Sequence, residues 1–113
     1  MCRGGIQVYR YFKYLRESKR DLEENLEKYL KALRGLATRY NGRLYIFGSY
    51  LKGVYTAASD VDVLLEVPDS VDRLQVLHEA RRLVQNRRIE IHVLNKSEAE
   101  LFKRMIKEYK EVA

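Results

Sequence analysis

Apolar residues recur along the first third of the chain with a helical period. Leu15, Leu22, Leu26, Leu30 and Leu33 stand three, four or seven positions apart, and Leu36, Ala37 and Tyr40 continue the stripe. The intervening positions Glu17, Lys19, Arg20, Glu23, Glu24, Glu27, Lys28 and Lys31 are charged and mixed in sign. This pattern predicts a long amphipathic helix from about Arg10 to Tyr40, stopped by Asn41-Gly42. Four rings, Tyr9, Tyr11, Phe12 and Tyr14, precede or open it. Such rings can stack on bases, but packing against the core or a partner helix is the simpler expectation.

After the stop the period shortens. Arg43 to Phe47 alternates and then runs apolar, which predicts a buried strand ended by Gly48-Ser49. Tyr50 to Tyr55 fits a short helix, and Asp60 to Val67 reads as a second strand closed by Pro68-Asp69. Ser70 is placed to cap a helix carrying Val71, Leu74, Leu77 and Val84. Arg88 to Leu94 alternates strictly: Ile89, Ile91 and Val93 share one face, Glu90 and His92 the other. Ser97 with Glu100 three residues on suggests a capping box opening a last helix with Leu101, Met105 and Ile106. The order is helix, strand, short helix, strand, helix, strand, helix. That predicts an α/β fold, a small mixed sheet of three or four strands flanked by helices, with residues 1–113 forming one domain.

Composition narrows the setting. Hydrophobic residues make up 46% of 113, which suits a packed core rather than disorder. The one cysteine, Cys2, has no partner for an internal disulfide, and no apolar run reaches membrane-spanning length. Together these predict a cytoplasmic protein with no membrane association. A formal net charge of +6 favours anionic partners such as nucleotides, RNA or an acidic protein surface, although a solvated basic surface explains it equally well.

Two short features carry chemistry. Gly48-Ser49 places a glycine and a hydroxyl at the start of a helical turn, where backbone N–H groups and a donor can cradle phosphate. By itself it is an ordinary tight turn. Asp60-Val61-Asp62-Val63 sets two carboxylates about 7 Å apart on one strand face. Their repulsion is relieved by a divalent cation, and Mg²⁺ suits one or two carboxylates with substrate phosphates. The combination, a phosphate turn just upstream of a carboxylate pair, is far more specific than either part.

Phe47-Gly48-Ser49, then the stretch Tyr50 to Ser59, then Asp60-Val61-Asp62-Val63 resembles the nucleotidyltransferase superfamily of DNA polymerase beta, CCA-adding enzymes and kanamycin nucleotidyltransferase. Lys52-Gly53 and Ser59-Asp60 match the further signature of its minimal members, with lysine where arginine is commoner. The resemblance implies the nucleotidyltransferase fold over 1–113, with Asp60 and Asp62 holding two Mg²⁺ ions. It also implies that Gly48, Ser49, Lys52 and Ser59 contact the triphosphate, ATP by preference. The family draws a third carboxylate from a later strand, a place Glu90 fits although aspartate is commoner there. As a surface residue, Glu90 would instead pair with Arg87 or Arg88. His92 reads as a bystander, a neighbour of the site at most, and His78 as structural or solvated.

The implied activity is transfer of a nucleoside monophosphate to an acceptor hydroxyl with release of pyrophosphate. Minimal members are often encoded beside a helical HEPN-type ribonuclease and act as its antitoxin, some by adding AMP to a tyrosine. That pairing is therefore the implied biology, and a homo-oligomer is compatible with it. A catalytically idle antitoxin that only masks its partner, or an enzyme modifying RNA ends, are the rival functions. The mixed charge from Glu17 to Lys31 argues against a dedicated RNA groove.

Overall fold

The computed structural model describes residues 2–53 and 60–113, with side chains from Val8 onward. The leucine stripe does form one helix, α1 (Cys2–Arg39), of 38 residues. Leu22, Leu33, Leu36 and Ala37 are buried, and Leu26, Leu30 and Tyr40 pack at their edge. Asn41 ends the helix with φ 57°, a conformation asparagine tolerates. At Gly42 a Cβ would stand 2.1 Å from the Glu66 carbonyl oxygen, so only glycine lets the chain turn this tightly into the sheet.

Strand β1 (Arg43–Phe47) follows, then β2 (Val61–Val67), α2 (Arg73–Leu83), β3 (Ile89–Asn95), α3 (Lys96–Ile106) and β4 (Tyr109–Glu111). The sheet order is β3-β2-β1-β4. β2 is antiparallel to β1 and parallel to β3, and β4 lies antiparallel on the far edge of β1. β4 was absent from the expected element order because three exposed residues give too short a pattern to read.

The alternation along β2 assigns the two faces. Val61, Val63, Leu65 and Val67 join Leu44, Ile46, Ile89 and Ile91 under α1 and α2. On the other face Tyr45, Phe47 and Leu64 pack against Ala99, Phe102 and Ile106 of α3. A mixed sheet thus lies between two helices on one side and one on the other, an α/β arrangement with a long N-terminal helix.

Three local expectations are corrected. The α2 cap is Asp72, whose side chain accepts from the Leu74 amide; Ser70 lies two residues too early. The α3 capping box is Asn95 with Glu98, not Ser97 with Glu100. Ser97 instead donates to Asp69. The apolar faces shift with these caps: Val76, Ala80 and Val84 are buried, whereas Leu74 is exposed. In α3 the packed residues are Ala99, Phe102 and Ile106, leaving Leu101 and Met105 in solvent. Both helices carry two apolar stripes, and periodicity alone does not say which one meets the sheet.

The rings at the start of α1 leave one of their two expected packings, that against a partner helix. Val8, Tyr9, Tyr11, Phe12 and Tyr14 are all exposed rather than packed on the chain's own core. Among the described residues no helix is long and apolar enough to cross a membrane.

Candidate active site

Register brings the candidate residues together. Phe47 is the cross-strand partner of Asp62, and Asp62 the partner of Glu90. Side chains on one cross-strand line project to the same face. Three adjacent strand ends therefore converge, with Gly48 immediately beyond β1. The turn there is close-fitting. Gly48 has φ +81°, and a Cβ on it would lie 2.4 Å from Asp62 Oδ2. Glycine is thus required by the aspartate itself, a reason the sequence did not disclose.

His92, expected as a bystander, is part of the cluster. Its Nε2 lies 3.9 Å from Asp62 Oδ1 and 3.8 Å from Glu90 Oε1. Asp62, Glu90 and His92 each offer one ligand atom, and the three atoms lie within 4.8 Å of one another. Phe47 and Phe102 hold the imidazole, at centroid distances of 5.4 and 5.8 Å. A signal for this was present in the sequence: in a strand, Glu90 and His92 must share a face.

The electrostatics invite a cation. Burial, the hydrogen bond to Glu90 and the negative charges of Glu90 and Asp60 push the Asp62 carboxyl up to about 6. Asp60 itself is exposed, one residue before β2, and stands outside the three-residue cluster. Two carboxylates and an imidazole converging where negative charge is costly form a donor set suited to a divalent ion.

The phosphate turn is only partly described. The Lys52 amide donates to the Gly48 carbonyl at 3.2 Å and the Gly53 amide to Tyr50 at 3.3 Å. Residues 49–53 thus form turns rather than the expected helix, and Gly53 has φ +76°. Ser49 is half-buried and Lys52 exposed. Ser59, and the rest of the short helix expected to Tyr55, lie outside the described residues. Among the described residues the carboxylate face is partly exposed, Glu90 the most and Asp62 the least of the three clustered side chains. A separate hollow of about 580 Å³ sits at the opposite end of β1 and β2, lined by mixed charges including Arg43, Glu66 and Lys103.

Fold and site together define an α/β protein with an acidic centre on one face of a mixed sheet. The chain belongs to the nucleotidyltransferase domain family, whose profile matches residues 16–113. Similar solved structures include an inferred nucleotidyltransferase from Sulfolobus solfataricus, at TM-score 0.56 and 20% identity over 87% of this chain and 85% of that one. A second inferred nucleotidyltransferase aligns at TM-score 0.56 and 21% identity, covering 82% of this chain and 99% of the other. These establish likeness of fold. A 39-residue segment is also 46% identical to poly(A) polymerase PAPa of Candida albicans, spanning 34% of this chain but 7% of that relative.

Proposed function

We propose that this chain transfers a nucleoside monophosphate, AMP from ATP in the first instance, to the hydroxyl of a separately bound acceptor in a Mg²⁺-dependent reaction. One observation carries the reading: the Asp62, Glu90 and His92 donor atoms converge beside the Gly48 turn. In this reading Asp60, Asp62 and Glu90 hold the divalent ions. Bound there, such ions supply neutralisation of the triphosphate and a lowered pKa for the acceptor hydroxyl. The Gly48 backbone and the Ser49 hydroxyl contact the phosphates, Lys52 adds positive charge, and the family resemblance adds Ser59 as a further contact. Glu90 also takes the proton as the acceptor oxygen bonds to the α-phosphorus. The bond from that phosphorus to the bridging oxygen breaks, and pyrophosphate leaves with both of its electrons. The protein supplies position and charge rather than covalent chemistry.

The partly exposed carboxylate face suits an acceptor delivered by another molecule. On the family resemblance, that molecule is a helical HEPN-type partner, and this chain is its antitoxin in the cytoplasm. An RNA end is the second reading, favoured by the exposed rings of Tyr9 and Tyr14 among the cations of α1. Glu90→Gln separates an enzyme from a masking partner. It should leave ATP affinity within a few-fold of wild type while reducing transfer at least ~10²-fold, as removal of a base or ligand does. Transfer that survives the substitution places the base elsewhere.

A further inference from the structure

The family pattern accounts for carboxylates at this centre; it does not account for the imidazole between them. His92 sits on β3 two residues beyond Glu90, so the pleat returns it to the same face. Its ring is not free to swing away. Phe47 packs on it at 5.4 Å and 51°, and Phe102 of α3 at 5.8 Å and 32°. The two phenyl rings meet edge to face at 5.2 Å, closing the apolar side of the imidazole. Nε2 is the atom left facing the carboxylates, 3.9 Å from Asp62 and 3.8 Å from Glu90. An ion pair alone would need no such seat. Packing holds this ring with one nitrogen aimed between two acids, the service that a hydrogen bond from the other ring nitrogen performs at most metal-ligating histidines.

We propose that His92 Nε2 is a direct ligand of the divalent ion held by Asp62 and Glu90, and that this nitrogen makes the centre prefer Mn²⁺ to Mg²⁺. The inference rests on the metal-dependent reading above and adds a ligand and a selectivity to it. Mg²⁺ holds near-octahedral oxygen donors and sheds water reluctantly. Mn²⁺ takes the same carboxylates and, although the weakest binder of the first-row transition ions, accepts an imidazole nitrogen more readily than Mg²⁺ does. Replacing one oxygen donor by nitrogen therefore costs Mg²⁺ affinity and favours Mn²⁺. Transfer would accordingly run at lower Mn²⁺ than Mg²⁺ concentrations.

The test uses the full chain at pH 8, without nucleotide, titrated with Mn²⁺ or Mg²⁺ by calorimetry. Pulsed electron paramagnetic resonance of the Mn²⁺ complex then reads its nitrogen couplings. Wild type should bind Mn²⁺ at least ~10²-fold more tightly than Mg²⁺, with the coupling of one directly bound imidazole nitrogen. His92→Gln should abolish that coupling and narrow the preference by roughly tenfold, a step typical of losing one well-oriented ligand. Its melting temperature shows whether it is folded, and His92→Asn serves as the second variant if it is not. Mn²⁺ bound in an Asp62-dependent way without nitrogen coupling overturns the inference and leaves the carboxylate centre standing. No binding of either ion by wild type overturns both.

Discussion

At the scale of single residues, Asp62 meets two opposed demands. Burial and its acidic neighbours resist its charge, yet its proposed role requires it. A carboxyl whose folded pKa lies near 6, above its ordinary 3.8, contributes stability that is fully present below pH 4 and lost as pH rises through 6. Metal-free protein should therefore weaken across that window. Asp62→Asn should remove this part of the pH dependence and raise stability at pH 7.5 by about 1–3 kcal/mol, while abolishing divalent-ion binding. Thermal melts in chelator from pH 4 to 8, with calorimetry, check both halves; a variant less stable at pH 7.5 contradicts the electrostatics. Gly48→Ala should cost about 1–2 kcal/mol for its φ, and more because its Cβ displaces the Asp62 carboxylate. In an Asp62→Ala background only the backbone part should remain. A double-mutant cycle reading no coupling would show the contact to be irrelevant.

At the scale of elements, α1 and strands β1 to β3 were legible, and the buried faces of α2 and α3 were not. Strict alternation in Asp-Val-Asp-Val and Ile-Glu-Ile-His leaves one choice of buried face for β2 and β3. That Glu90 joins Asp62 followed from the family resemblance, and the parallel register pairs the two. Competing caps and stripes in α2 and α3 left their phase undetermined, and Asp72, Asn95 and Phe102 went unrecognised. Arg88 shows what pattern reading misses. Considered a surface partner for Glu90, it is buried, donating from Nε to Ser18 Oγ at 2.8 Å and from Nη2 to the Leu15 carbonyl at 3.1 Å. Asn86 adds bonds to the Ser18 carbonyl and Asp21, so the entry to β3 is clamped to α1. Arg88→Met keeps much of the stem and removes the donors. It should cost about 2 kcal/mol and speed amide exchange around Leu15 to Asp21, measurable by mass spectrometry. Unchanged exchange would mean that the helix is held by its leucines alone.

At the scale of the whole molecule, the long axis of 53 Å against 28 and 25 Å reflects α1 outrunning the body. Leu15 and Ser18 are tied to Arg88, two residues before Glu90, so the exposed segment from Val8 to Tyr14 departs near the sheet end that carries the centre. Sequence periodicity could predict that helix but not where the body beneath it ends. The central claim is that a nucleoside monophosphate leaves the triphosphate here for an acceptor hydroxyl. It is tested most directly by supplying ATP labelled at either the α- or the γ-phosphate, with Mg²⁺ or Mn²⁺. The acceptors are a single-stranded RNA and, separately, the protein encoded beside this one. The account predicts that α-label joins an acceptor, that γ-label appears only in pyrophosphate, and that Asp62→Asn stops both. Label passing from the γ-position to an acceptor, or α-label transfer that survives Asp62→Asn, would contradict it.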